Sequence, residues 1–265
     1  MRQRSNGAGV KFFIVLSTVI LVTIVALSLF LKSIYVVPVL MYHKIDKHSQ
    51  ESKLSVSPES FERQMRFLRK RNYNIVSLGQ LVDMISKGRI PRKTACVTFD
   101  DGYRNNYTDA YPVLKRYNIP ASIFMPVDKI GRQGYLTWGQ LKEMSESGID
   151  IGSHTLSEVY LPDIKDDRRL KDEIFKSRRI LSSRLPGAGE FFAYCSGGFN
   201  EKIRQMVIDA GYKGACATNP GKSYPDNDIY ALKRLRISRT SDNLFVFWIE
   251  TSGFYTWIKE HRDDD

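Results

Sequence analysis

Thr98-Phe99-Asp100-Asp101-Gly102-Tyr103 follows the apolar run Ala95-Cys96-Val97 and closes on a glycine and a tyrosine. A short apolar run bounded by a turn signal reads as a buried strand. The hexapeptide is therefore a strand end that delivers two carboxylates into a pocket. An isolated Asp-Asp-Gly is also a common solvated turn, and it is the apolar strand before it that argues against that reading here. Side chains of neighbouring strand residues point to opposite faces. The two acids are accordingly expected to do different work, one holding a metal ion and the other moving a proton.

Working outward, other strands also end in reactive groups. Val36–Tyr42 reads as a first strand that ends at His43, and Ile149–Ser153 as one that ends at His154. Phe191–Tyr194 runs into the turn Tyr194–Gly198. Between them, Ser57-Pro58-Glu59 is a capped helix start with a first-turn proline, followed by Phe61, Met65 and Leu68 at helical spacing. Ser77-x-x-Gln80 is a capping box. Further helices are expected over Tyr107–Tyr117 (with Pro112 awkwardly placed), Trp138–Gly148, Asp166–Leu185 and Glu201–Ala210. Further strands are expected at Tyr73–Val76, Ala121–Val127, Tyr212–Thr218 and Leu235–Ser238. The aromatic-rich tail Asn243–His261 reads as one helix packed on the body, with Asp263–Asp265 as a solvated end. This alternation is the pattern of parallel strands joined by crossover helices.

The chain has 265 residues and a net charge of +11. Phe12 to Leu31 carries no charge, and about 20 apolar residues are what a helix needs to cross a bilayer. The run is longer than the apolar region of a cleaved signal peptide, so it is read as a retained anchor. Arg2, Arg4 and Lys11 precede it and Lys32 follows. Positive charge stays inside, which puts the N-terminus in the cytoplasm and the rest in the periplasm or outside the cell. The expected organisation is a basic tail at 1–11, an anchor in the cytoplasmic membrane at 12–31, and one α/β domain at 36–262. No basic block interleaved with aromatics suggests nucleic acid. Cys96, Cys195 and Cys216 make no disulfide framework, though one pair could form.

In parallel α/β folds the strand C-terminal ends converge on one face, which holds the site. Two of the four histidines, His43 and His154, occupy such ends, whereas His48 and His261 sit in polar segments and are read as surface residues. Asp101, His154 and Glu158, four residues beyond the histidine, would be oxygen and nitrogen ligands for a divalent metal. Such a metal lowers the pKa of its water and polarises a carbonyl. Asp100 would serve as general base and His43 as the acid for the leaving group. Together these parts describe hydrolysis of an amide or ester.

Thr98–Tyr103, Ser153-His154-Thr155 and Phe192–Gly198 resemble the three motifs of the polysaccharide deacetylases, carbohydrate esterase family 4. Pro38–His43 resembles the circularly permuted branch in which the catalytic histidine comes first, a branch that includes the poly-β-1,6-N-acetylglucosamine deacetylases. Leu232-Lys233-Arg234-Leu235 resembles its late segment, whose arginine orients the catalytic aspartate. The resemblance implies a distorted (β/α) barrel after one transmembrane helix. It also implies a divalent metal and removal of N-acetyl groups from an N-acetylglucosamine-containing glycan outside the membrane. Carried over by position, Asp100, His43 and Arg234 are catalytic and Asp101 and His154 hold the metal. Ser196, through its backbone N–H, is the oxyanion donor, and Tyr194 and Tyr103 are substrate-side residues. Glu158 and Val159 stand where the family has a second histidine, and Cys195-Ser196 replaces Pro-Tyr in the third motif. With Glu158 as a ligand the site would be less selective for zinc and friendlier to manganese, iron, cobalt or magnesium. Two other functions are compatible with the chain: a non-catalytic glycan-binding relative with a degenerate metal site, and a deacylase of a lipid-linked sugar.

Overall fold

The computed structural model describes residues 6–47, 52, 54–218 and 224–262. His48, the side chain of His261 and the Asp263–Asp265 end fall outside the described residues. The chain divides into two units, Met1–Val36 and Val37–Asp265. The first is helix α1 (Asn6–Ser33), within which Val10–Ser33 forms 24 residues of mean hydropathy 2.8. Its apolar side chains are exposed, Phe12 and Phe13 among them. An exposed apolar helix of this length is consistent with membrane anchoring.

The second unit holds the strands β1 (Val39–Tyr42), β2 (Lys44–Ile45), β3 (Ser55–Val56), β4 (Asn74–Ile75), β5 (Thr94–Phe99), β6 (Ser122–Met125), β7 (Asp150–Ser153), β8 (Phe191–Ala193), β9 (Gly214–Cys216) and β10 (Arg234–Arg236). Its helices are α2 (Pro58–Lys70), α3 (Leu78–Ser86), α4 (Tyr111–Arg116), α5 (Trp138–Glu146), α6 (Asp167–Lys171), α7 (Ser177–Arg184), α8 (Glu201–Asp209), α9 (Leu244–Glu250) and α10 (Tyr255–Arg262). The main sheet is parallel, in the order β10-β1-β5-β6-β7-β8-β9, with β4 beside β5. The Leu232 N–H donates to Ala215 O and the Ala217 N–H to Leu232 O, both at 2.9 Å, and the Arg234 N–H donates to Thr218 O at 3.1 Å. These bonds tie β9 to the segment that enters β10. The sheet therefore curls into a distorted, nearly closed α/β barrel, as expected from the sequence.

The strands read as continuous apolar runs because both faces are covered. All six residues of β5 and all four of β1 and β6 are buried. Tyr42 stacks on Phe99 at 5.5 Å and meets Phe61 of α2 edge-on at 5.2 Å. Helix starts follow local chemistry. Ser57 caps α2, and Ser77/Gln80 and Thr137/Gln140 form capping boxes on α3 and α5.

Three expected elements differ. The Tyr107–Tyr117 helix opens as a π-turn over Asn106–Ala110, and Pro112 sits in the first turn of α4, where its missing N–H costs nothing. The Asp166–Leu185 helix is broken by a π-turn at Asp172–Lys176 between α6 and α7. The C-terminal tail is two helices, α9 and α10, rather than one. The three cysteines are all buried and free.

Glu250 of α9 is 6% exposed, and its Oε2 has no hydrogen-bond partner. Burial pushes its carboxyl up to about 7, against a weaker opposing bond from Ser241. A carboxyl raised in the folded state keeps its proton while the unfolded chain loses one. Stability should therefore fall as pH rises from about 4.5 to about 7, by about 2–3 kcal/mol. Glu250→Gln is expected to flatten that slope in thermal melts run across this window.

Candidate active site

The strand ends deliver the site. Asp100 extends the β5 ladder by one bond, its N–H donating to Tyr42 O at 2.9 Å. The chain then turns sharply: Asp101 and Gly102 both lie in the left-handed region (φ 66° and 63°), and the Gly102 N–H returns to Asp100 O at 2.8 Å. His43 follows β1, and His154 follows β7 with its N–H on Met125 O at 2.8 Å. Cys195 and Ser196 follow β8 in a tight turn, Ser196 again left-handed (φ 53°). His43, Asp100, Asp101, His154, Glu158 and Ser196 line one cleft of about 360 Å³, within the usual range for a small-ligand site. The two aspartates were expected on opposite faces. They share one cleft because the strand ends at Phe99 and the left-handed turn redirects Asp101.

Arg234, at the start of β10, holds Asp100 in a two-pronged ion pair, Nη1 to Oδ1 at 2.6 Å and Nη2 to Oδ2 at 2.7 Å. Its Nε donates to Ala217 O at 3.0 Å, which fixes the fork. Burial opposes ionisation of Asp100, but the guanidinium outweighs it and holds the carboxyl down at about 2. Asp101 has no such partner, and burial moves its carboxyl upward. Burial lowers the pKa of His43, and its Nδ1 is buried with no hydrogen-bond partner. His43 O accepts from Asn106 Nδ2 at 2.7 Å, which steadies the residue from the π-turn. His154 Nδ1 donates to Ala193 O at 2.8 Å, leaving Nε2 3.6 Å from Asp101 Oδ1. Burial works against charging His154; the Cys195 sulfur and the Asp100 and Asp101 carboxylates outweigh it and raise its pKa to about 10.

The third metal-ligand role expected of Glu158 is corrected. The four-residue spacing from His154 puts two side chains on one side only in a helical turn, and this segment is not helical. Thr155 and Glu158 are left-handed (φ 67° and 58°), and the Glu158 carboxylate forms an ion pair with Lys129, which follows β6. Among the described residues, no group of three His, Cys, Asp or Glu side chains could hold a metal ion. The expected divalent ion, whether zinc, manganese, iron, cobalt or magnesium, does not fit these donors, and the metal-dependent reaction is corrected with it. The Lys129→Met/Glu158→His double variant, which frees the position and restores a nitrogen donor, is expected to bind Zn²⁺ at least about ten-fold more tightly than the parent in titration calorimetry.

Tyr194 lies away from the cleft. It is fully buried, stacked on Phe199 at 4.4 Å, with its hydroxyl on Tyr230 O at 3.0 Å. Tyr103 does not line the cleft but a neighbouring pocket with Lys44, Arg104 and Tyr135; it stacks on Tyr135 at 5.5 Å, and burial and Asp101 hold its hydroxyl proton. Sequence reasoning missed Lys129, Arg236 and Glu173. Arg236 lines the cleft two residues after Arg234, and the two-residue strand period puts both on one face, a signal that could have found it. Glu173 carried no signal. The π-turn swings it inward, where it accepts from the Leu156 and Ser157 N–H groups at 3.0 and 2.9 Å and from Ser157 Oγ at 2.6 Å. It thereby ties down the loop after His154.

A sequence profile for polysaccharide deacetylases matches residues 87–215. The polysaccharide-deacetylase homologue YxkH of Bacillus subtilis is 34% identical over 216 residues, covering 81% of this chain and 76% of YxkH. The poly-β-1,6-N-acetyl-D-glucosamine N-deacetylase of Staphylococcus aureus is 25% identical over 215 residues, covering 76% of this chain and 73% of that enzyme. Among solved structures, the Streptococcus pyogenes deacetylase PplD superposes with a TM-score of 0.73 at 28% identity, covering 80% of this chain and 97% of PplD.

Proposed function

Because this chain belongs to the polysaccharide deacetylases of carbohydrate esterase family 4 and resembles their poly-β-1,6-N-acetylglucosamine branch, we propose that it takes an N-acetylglucosamine-bearing glycan of the cell envelope into this cleft, with a degenerate metal site. The family makes the chain a hydrolase of carbon–nitrogen bonds other than peptide bonds, a carbohydrate de-N-acetylase. The observation that carries the reading is the pairing, in one cleft, of an Arg234-locked Asp100 with His43. Asp100 accepts the proton of the attacking water, and His43 delivers a proton to the departing nitrogen. The products are acetate and a free amine. The Ser196 backbone N–H is the donor for the developing oxyanion. Residues 1–11 form the cytoplasmic tail, 12–31 the anchor and 36–262 the glycan domain outside the membrane, an orientation supported by Arg2, Arg4 and Lys11 ahead of the apolar run.

A second reading, glycan recognition without turnover, is favoured by the Lys129–Glu158 pair and by the two-donor remnant Asp101–His154. Acetate release from N-acetylglucosamine oligomers by the purified full chain separates them. The expected result is release that survives chelator, falls at least about a hundred-fold in Asp100→Asn, and leaves oligomer binding in place. Binding without release in the parent establishes the second reading. Neither binding nor release sinks both.

A further inference from the structure

A second cavity, of about 470 Å³, opens beside the cleft, and the reaction does not use it. Lys44, Tyr103, Arg104 and Tyr135 line it, together with Asp46 and Asn105. Its walls adjoin those of the cleft. Lys44 directly follows the cleft residue His43, and the Tyr103 hydroxyl is held by Asp101. Lys129, which pairs with the cleft residue Glu158, has its ammonium 5.1 Å over the Tyr135 ring.

The pocket is built on backbone segments tied to one another. The Arg104 N–H donates to Gly134 O at 2.8 Å, and Tyr103 and Tyr135 form an antiparallel bridge between the turn after Asp101 and the loop after β6. The Ile45 N–H donates to Asn105 Oδ1 at 3.4 Å, which ties the chain after Lys44 to the same turn. The Lys44 ammonium lies 4.6 Å over the Tyr103 ring. An aromatic face holds an ammonium in place without neutralising it. Arg104 is exposed. Among the described residues, no carboxylate pairs with either cation, and Asp46, the acid in the lining, has a partner of its own. Each ring already has an ammonium against it, so the pocket offers a ligand positive charge rather than a bare aromatic face. The whole chain agrees in sign. It carries +11, of which Arg2, Arg4, Lys11 and Lys32 supply only four, and a basic surface draws anionic polymers.

We propose that this pocket is a subsite for an oxyanion carried by the glycan, a carboxylate or a phosphodiester next to the acetamido sugar held in the cleft. Arg104 can take two oxygens of such a group at once, and Lys44 adds a point charge. The substrate is then acidic as well as N-acetylated. Free amines are turned away, because they would meet Lys44 and Arg104. The proposal rests on the reading of the cleft as a glycan site.

Titration calorimetry of the full chain in detergent tests it with three tetrasaccharides. One is the neutral N-acetylglucosamine tetramer, one alternates N-acetylglucosamine with the carboxylate-bearing N-acetylmuramic acid, and one is the N-acetylglucosamine tetramer bearing a phosphodiester. The expected result is that an acidic probe binds at least about ten-fold more tightly than the neutral one, the gain of one charge-assisted bond. That margin should shrink with added salt. Preference for the carboxylate probe alone assigns an acidic sugar, and preference for the phosphodiester probe alone assigns a bridging phosphate. In Lys44→Met/Arg104→Met the margin should vanish while the near-ultraviolet dichroism of the parent is kept. Arg104→Gln, at an exposed position, should by itself cut the margin about two- to three-fold, which keeps the test open if the double variant folds poorly. Equal binding of all three probes by the parent overturns the subsite and leaves the glycan reading standing. A margin that survives in the double variant also overturns it and moves the anion to Arg236 of the cleft. Binding of no probe overturns both.

Discussion

Arg234→Met is expected to destabilise the domain by about 3–5 kcal/mol, because it strips a buried carboxylate of its partner. The Arg234 side chain is 0% exposed and that of Asp100 4%, and both carboxylate oxygens are taken by the guanidinium. In the parent, Asp100 has a folded pKa of about 2, below its ordinary value. Its ion pair therefore contributes stability that is present above the ordinary carboxylate range and is lost as pH falls toward 2. In Arg234→Met the sign inverts: with the guanidinium gone, burial is the dominant influence and raises the pKa of Asp100. The variant is then least stable at neutral pH and recovers as the pH falls through the raised pKa. Urea unfolding across the acid range reads both slopes. Combining Arg234→Met with Asp100→Asn removes the stranded charge and should recover part of the loss. Additive losses would show that the pair is not energetically coupled.

Gly102→Ala carries the second large effect. Gly102 has φ 63°, and a Cβ there would lie 1.8 Å from Met125 Sδ and 2.6 Å from its Cε. A left-handed non-glycine costs of order 1–3 kcal/mol, and overpacking a core a further 1–3. The expected loss is about 3 kcal/mol or more, measured by thermal or urea unfolding. Met125 is the residue whose carbonyl receives the His154 N–H, so the strain passes directly into the cleft. Glycan binding should weaken together with stability. A Gly102→Ala protein with parental stability would show that the turn after Asp101 can relax.

The chemistry-bearing strand ends were legible because they are local. An apolar run followed by Asp-Asp-Gly and a histidine after an apolar strand are patterns of neighbours along the chain, whereas Arg234 was legible only through the family resemblance of Leu232–Leu235. The helix caps at Ser57 and Ser77 were legible for the same reason. The π-turn at Asp172–Lys176 was not, because Leu170, Ile174 and Leu181 keep helical spacing along the chain, and nothing in that spacing marks the one-residue insertion that shifts the phase after it. Its consequence, Glu173 reaching back to the loop at Leu156 and Ser157, depends on a contact sixteen or seventeen residues away. Tyr194 was misplaced because the strand period gives a face but not what covers it; Phe199 and Tyr230 do.

By itself, the sequence determined the alternation of strands and helices, the apolar helix ahead of them, and the identity of the groups at the strand ends. Burial periodicity and chain direction suffice for that, since parallel strands send all their C-terminal ends to one side. Tertiary structure alone decided which of those groups could cooperate. It put Asp100 against Arg234, 134 residues away in sequence. It turned Asp101 into the same cleft through a left-handed backbone, and it gave the Glu158 carboxylate to Lys129. A carboxylate goes to whichever cation the fold brings within reach. That choice is made by the packing of β6 against β7, which no spacing along the chain records.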